Sequence, residues 1–166
     1  MFHRKRVVRT VVFLGVGGVG KTTYIYRVLG MAKTPRVTRR PGVYQMPYGD
    51  WELYLVDTPG QYAIEVAQRY YEAVKTFGTR IDLIVYMYSL VEPQTLEALF
   101  EIDQWASRYP QHNVILIGNK RDLAEELGYV TEGDDAAKML DAKALYYTSA
   151  LRDDPPDLLH KIVENL

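Results

Sequence analysis

Residues 15–22, Gly-Val-Gly-Gly-Val-Gly-Lys-Thr, have the composition and spacing of a loop that wraps around phosphate groups. Glycines let such a backbone curl until several N–H groups point at one anion. Lys21 would bring a positive charge to the β- and γ-phosphates, and the hydroxyl of Thr22 could ligate Mg²⁺. A glycine-rich turn before a helix is the alternative, but it leaves the Lys-Thr pair unexplained. The pattern predicts that a nucleoside triphosphate contacts Gly17, Gly18, Val19, Gly20, Lys21, Thr22 and Thr23.

A second motif, Asn119-Lys120-Arg121-Asp122, could select the base. The carboxylate of Asp122 can accept hydrogen bonds from both N1–H and the exocyclic amine of guanine, whereas adenine has no such pair of donors. A backbone N–H in Thr148-Ser149-Ala150 could donate to the guanine carbonyl. Taken alone, each string is also an ordinary polar turn. Together with the phosphate loop they predict guanine contacts at Asn119, Lys120, Asp122, Ser149, Ala150 and Leu151.

The third motif is Asp57-Thr58-Pro59-Gly60-Gln61. Asp57 is placed to hold a magnesium-bound water, the N–H of Gly60 could bond the γ-phosphate, and Gln61 could orient the attacking water. Gln61 is therefore the candidate catalytic residue. The alternative is an Asp-capped turn that uses Pro and Gly for its geometry.

Strands must position these motifs, because each motif follows an apolar, strand-like run. Predicted strands alternate with helical patterns, which is typical of a mostly parallel sheet covered on both faces. The exception is a close antiparallel hairpin around residues 48–50. The predicted strands are 7–14, 43–46, 51–56, 82–88, 114–117 and 144–148. Five helices are predicted. The first begins near Lys21, the second ends near Phe77, the third and fourth span 94–109 and 131–143, and the last follows Pro156.

In the order of its motifs the sequence resembles a small GTPase of the Ras superfamily, over nearly the whole chain. The resemblance implies one α/β phosphate-loop domain over residues 1–166, with a six-stranded sheet, one antiparallel strand and about five helices. It also implies a threonine in a first switch loop that contacts both Mg²⁺ and the γ-phosphate. Thr34 and Thr38 are candidates; we choose Thr38, which precedes Asp57 by 19 residues as in Arf-like proteins. The pair Gly17-Gly18 and Gln61 look more like Ras and Rab proteins.

The resemblance implies a GTP/GDP switch that hydrolyses GTP slowly with Mg²⁺, bound through Thr22, Thr38 and Asp57. Pro59 departs from the Ala or Gly usual there and should stiffen the second switch. Two other functions stay open: a GTP-binding scaffold with negligible hydrolysis, and a phosphate-loop kinase acting on a small molecule. A kinase would need an arginine-rich lid and no guanine-reading motif.

The partners expected from the sequence are proteins rather than nucleic acids or membranes. The formal net charge is −1, and there is no cysteine to carry a lipid, a disulfide or a thiolate metal site. We therefore expect a cytoplasmic protein without a lipid anchor. Tyr62, Tyr70 and Tyr71, in or after the second switch, could bind effectors and regulators beside the Thr38 region. Packing of these tyrosines in the core is the alternative.

Overall fold

The computed structural model describes residues 5–31, 36–37, 42–77, 81–109 and 113–166. Both candidates for the first-switch threonine, Thr34 and Thr38, lie outside the described residues. Among the described residues, no helix is long and apolar enough to cross a membrane.

One twisted sheet organises the described part of the chain, in the strand order β2-β3-β4-β1-β5-β6-β7. The strand β3 pairs antiparallel with both of its neighbours, and every other pairing is parallel. The sheet is thus mostly parallel with one antiparallel strand, as predicted. The strands are β1 (Val7–Leu14), β2 (Arg36–Val37), β3 (Val43–Tyr48), β4 (Trp51–Asp57), β5 (Leu83–Ser89), β6 (Val114–Asn119) and β7 (Leu145–Tyr147).

Helices cover both faces of the sheet, which β-branched and aliphatic strands require. Helix α1 packs against α6, while α2 packs against α3, and all seven residues of the central strand β5 are buried. The hydroxyl of Tyr24 on α1 donates to the carbonyl of Leu158 on α6 over 2.6 Å. The helices are α1 (Lys21–Leu29), α2 (Ala63–Phe77), α3 (Pro93–Ala106), α4 (Arg121–Leu127), α5 (Asp134–Met139) and α6 (Pro155–Val163).

The element counts need two corrections within the described residues. The sheet has a seventh strand, the two-residue β2, beside the six that were predicted. The helices number six, because α4 forms inside and after the guanine-reading motif. In α4 the only buried residue is Ala124, so its sequence carries no apolar stripe that would have revealed it. The helix predicted over 131–143 is shorter and spans Asp134–Met139.

Candidate nucleotide site

The loop between β1 and α1 surrounds the side chain of Lys21, the first residue of α1. Lys21 is only 5% exposed, and its ammonium donates hydrogen bonds to the carbonyls of Gly15 and, over 2.9 Å, Thr58. Burial lowers the pKa of Lys21 to about 8, against the opposing influence of the Asp57 carboxylate. The ammonium is therefore fixed at the junction of two loops, where an anionic ligand would favour its charged form.

Thr22 and Asp57 form the second part of the site. The hydroxyl of Thr22 donates to Oδ2 of Asp57 over 2.5 Å, and the N–H of Asp57 donates to the carbonyl of Gly42 over 2.7 Å. Oδ1 of Asp57 is buried and has no hydrogen-bond partner among the described residues. A hydroxyl beside a carboxylate with an unused oxygen is a donor set that suits Mg²⁺, so these residues fit the ion that the sequence implies.

The loop after β4 lies against the phosphate loop. The hydroxyl of Thr58 donates to the carbonyl of Phe13 on β1 over 2.6 Å, which fixes the start of this loop. A Cβ added to Gly17 would lie 3.4 Å from the carbonyl oxygen of Gly60 and 3.5 Å from Cα of Gln61. Gln61 is exposed, lies close to the phosphate loop and lines the cavity described below.

Asn119, at the end of β6, joins the phosphate side of the site to the base side. Its Nδ2 donates to the carbonyl of Val19 over 2.8 Å, and its Oδ1 accepts from Thr148 Oγ1 and from the N–H of Ala150, each over 2.9 Å. Gly20 adopts φ 103° directly against this amide, and a Cβ there would lie 2.2 Å from Nδ2. A side chain at residue 20 is thus excluded by backbone conformation and by contact.

Asp122 lies in the first turn of α4, beside the loop after β7. Its Oδ1 accepts a hydrogen bond from Ser149 Oγ over 3.0 Å. Ser149 is fully buried and does not line the cavity, whereas Ala150 and Leu151 do. Lys120 adopts φ 68° and its ammonium lies 3.4 Å from Glu92.

These residues share one cavity of about 610 Å³, a volume in the usual range for small-molecule sites. All of the predicted site residues within the described part of the chain line it, except the buried Ser149. Three lining residues were not predicted: Val16, Pro59 and Leu123. Val16 occupies a variable position of the phosphate motif, and Leu123 lies one residue beyond Asp122. Their position in or next to a motif is the one feature of the sequence that could have predicted their contact with the cavity.

The prediction for the three tyrosines needs one correction. Tyr70 is 1% exposed and packs edge-on against Tyr109, 5.9 Å between ring centroids, so it belongs to the core and cannot anchor a partner. It lies on the buried face of α2 with Val66, Ala67 and Ala73, and a helix must bury one face. Tyr62 and Tyr71 are 63% and 48% exposed.

A family model described as 50S ribosome-binding GTPase matches residues 10–120, well over half of the chain. The chain belongs to this GTPase family. The match includes the phosphate loop, the Asp57 loop and Asn119. As a member, the chain is a phosphate-loop GTPase with guanine nucleotides as its ligands.

A curated relative agrees with the family, and solved structures agree with the fold. The GTPase Era of Ruminiclostridium cellulolyticum is 29% identical over 163 residues, covering 89% of this chain and 51% of Era. This chain therefore spans about half the length of that curated relative. The G-domain of FeoB from Methanococcus jannaschii superposes with a TM-score of 0.67 at 21% identity, over 95% of this chain and 96% of that chain.

A second structural neighbour is the cytosolic domain of the iron transporter FeoB from T. maritima in its GMPPNP form. It has a TM-score of 0.68 at 23% identity, and the likeness covers 95% of this chain and 63% of that chain. At these identities the structures show the fold. The Ras-, Rab- and Arf-like details of the sequence are not confirmed, because the family model and Era favour a different branch of GTPases.

Proposed function

We propose that residues 1–166 form one domain that acts as a GTP/GDP-dependent switch, binding GTP with Mg²⁺ and hydrolysing it slowly. The observation that carries this proposal is that Lys21, Thr22 and Asp57 line the same cavity as Asn119 and Asp122. One ligand can therefore contact phosphate-binding and guanine-reading groups together. A cytoplasmic location completes the proposal, in keeping with a chain that contains no cysteine.

The phosphates are assigned to the first turn of α1 and the loop before it. The N–H groups of residues 17–23 and the ammonium of Lys21 would hold the β- and γ-phosphates. Since Lys21 is held by two carbonyls on separate loops, it is oriented before the ligand arrives.

The guanine is assigned to α4 and the loop after β7. The carboxylate of Asp122 would accept from N1–H and the exocyclic amine, and a backbone N–H of residues 149–151 would donate to the carbonyl of the base. The hydrogen bond from Ser149 engages Oδ1 of Asp122, while Oδ2 lies 3.9 Å from the exposed Arg152, so acceptor capacity remains.

Magnesium is assigned to Thr22 directly, to Asp57 through a water and to Thr38 in the triphosphate state. When bound, the ion supplies positive charge that offsets the charge of the phosphates. The chain's own part in hydrolysis is positioning: Gln61 would orient the attacking water and Gly60 would donate its N–H to the γ-phosphate.

The position of Gly60 and Gln61 in the chain explains how the protein would switch. Gly60 and Gln61 lie just before α2. Loss of the γ-phosphate would therefore release a loop that carries the exposed Tyr62 and leads into a helix that carries the exposed Tyr71. We assign effectors and regulators to Tyr62 and Tyr71 on this segment, together with the Thr38 region.

Equilibrium competition and single-turnover hydrolysis test the proposal. We expect GDP and GTP to bind far more tightly than ADP and ATP, and bound GTP to be hydrolysed on the order of 10⁻⁴ to 10⁻² s⁻¹ without a partner. Equal competition by ATP would contradict the guanine assignment. Tight GTP binding without measurable hydrolysis, alone or with extract of the source cells, would identify a scaffold instead of a switch.

A further inference from the structure

The loop from Ser149 to Asp153 connects β7 to α6 and forms one wall of the cavity through Ala150 and Leu151. Two arginines from other helices hold this loop from the side away from the cavity. Neither Arg27 on α1 nor Arg121 on α4 lines the cavity. Their contact with the ligand would therefore be indirect, through the backbone of the loop.

Arg27 satisfies three carbonyls of the loop with one guanidinium group. Nη1 donates to the carbonyl of Ala150 over 3.0 Å and to that of Leu151, and Nη2 donates to the carbonyl of Asp153 over 2.8 Å. The planar, permanently charged fork of arginine suits such a set of acceptors, which a lysine ammonium cannot match in geometry. Two of the three carbonyls belong to the residues that face the cavity.

Asp153 holds the same loop through its side chain. Its carboxylate accepts two hydrogen bonds from Arg121, one of 3.2 Å to Oδ2 and a second to Oδ1, and another from the N–H of Ser149 over 2.9 Å. Burial raises the pKa of Asp153, but the hydrogen bonds from Arg121 and the Ser149 N–H outweigh this and leave the pKa below its ordinary value. The carboxylate thus stays charged at neutral pH and joins the last residue of the loop to the first, Ser149.

We propose that Arg27 and Asp153 are positioning residues of the base-binding loop, and that they set how long a guanine nucleotide remains bound. This inference rests on the proposed function, because it concerns the same cavity. Arg27 also links the part of the site assigned to the phosphates with the part assigned to the base. It lies on the helix whose first turn carries Lys21 and Thr22, so one rigid element supports both the phosphate contacts and the wall beside the base.

The experiment measures release of a fluorescent GDP from the full chain, chased with excess GDP in Mg²⁺, for wild type, Arg27→Gln and Asp153→Asn. Each change removes charge-assisted hydrogen bonds that fix the loop, so we expect release to accelerate by about tenfold or more. Single-turnover hydrolysis of already bound GTP should stay within about twofold of wild type, since the phosphate groups and Gln61 are not altered.

Two control variants separate positioning from general stability. Arg6→Gln removes an arginine directly before β1 that pairs with Glu52 on β4, at 3.5 Å, away from the loop. Ile102→Val trims a fully buried side chain on α3 and lowers the melting temperature without touching the loop. Both should release GDP at the wild-type rate. If Ile102→Val accelerates release as much as Arg27→Gln at a similar melting temperature, the two residues only stabilise the fold and the proposal is overturned.

Base analogues locate the effect within the site. IDP keeps the carbonyl and N1–H of the base but lacks the exocyclic amine. Arg27→Gln should weaken GDP and IDP by the same factor, whereas Asp122→Asn should change their ratio. Unchanged release in folded Arg27→Gln and Asp153→Asn would overturn the proposal.

If Arg27→Gln fails to fold, Arg27→Lys serves in its place, and an intermediate rate is expected because the charge remains without the fork. Release from Arg27→Lys at the wild-type rate would also overturn the proposal. A wild-type chain that binds no guanine nucleotide would reject the proposed function itself, which is a different result from normal binding with unaltered release.

Discussion

The hydroxyl of Thr22 donates a 2.5 Å hydrogen bond to Oδ2 of Asp57, a residue 35 positions further along the chain. This bond joins the first turn of α1 to the end of β4, which are neighbours only because β1 and β4 pair in parallel. It places the two oxygens assigned to magnesium side by side, while Oδ1 of Asp57 has no partner among the described residues.

Thr22→Ala should weaken binding of both GDP and GTP in Mg²⁺, because it removes the only side-chain oxygen assigned to contact the ion in both states. Thr38→Ala should weaken GTP binding but spare GDP, since the first switch reaches the ion only when the γ-phosphate is present. Titrations with and without EDTA measure both effects. Thr76→Ala, at an exposed threonine of α2 that does not line the cavity, is the control. If Thr34→Ala rather than Thr38→Ala weakens GTP binding but spares GDP, the switch threonine is misassigned.

Asp122→Asn should shift the base preference from guanine toward xanthine, whose 2-oxo group needs a donor where guanine needs an acceptor. Competition between GDP and XDP for the same site measures this shift. Glu125→Gln changes a carboxylate on the same helix that pairs with Arg121, at 3.6 Å, and does not line the cavity, so it should leave the preference intact. An unaltered GDP preference in Asp122→Asn would rule out its carboxylate as the base reader.

Gln61→Leu should slow GTP hydrolysis by at least about tenfold, equivalent to roughly 1.4 kcal/mol of barrier, with nucleotide affinity little changed. Leucine keeps the approximate size but cannot orient a water. Single-turnover rates, with and without extract of the source cells, provide the measurement. Because Gln61 is exposed and follows the stiff Pro59, the difference could emerge only in the extract; equal rates under both conditions would remove Gln61 from the mechanism.

The contribution of Asp153 to stability should disappear in acid. Its pKa in the folded chain lies below the ordinary 3.8, so the unfolded chain binds more protons between those two values and the carboxylate stabilises the fold above them. The melting temperature of wild type should therefore exceed that of Asp153→Asn at about pH 6, and the difference should shrink toward about pH 3. Glu126→Gln, an exposed carboxylate on α4, should show no such convergence.

Much of this site could be predicted because its chemistry is local in sequence. The phosphate loop, the Asp57 loop and the guanine motif each follow a strand, and parallel strands end at one edge of a sheet, so their meeting follows from the fold class. The parallel sheet was predictable for the same reason: buried strands read as continuous apolar runs.

What the sequence could not show depends on contacts between distant residues. Nothing in the sequence distinguishes Arg27 from any other polar residue of an amphipathic helix. Only the folded chain brings it to the carbonyls of Ala150 and Leu151. Tyr70 and Tyr71 are adjacent, and which of the two is buried depends on the rotation of α2 about its axis. Helix α4 was missed because its short length and single buried residue give no periodic signal.

The double attachment of Asn119 has a consequence for the order in which the chain is made. Its Nδ2 donates to the carbonyl of Val19, in the first fifth of the chain, whereas the donors to its Oδ1, Thr148 and Ala150, come after the last strand. A growing chain on the ribosome would thus complete its phosphate loop long before the base wall exists. Until the residues after β7 join the sheet, the Oδ1 of Asn119 would lack both of its donors, and the carboxylate of Asp122 would lack its hydrogen bond from Ser149.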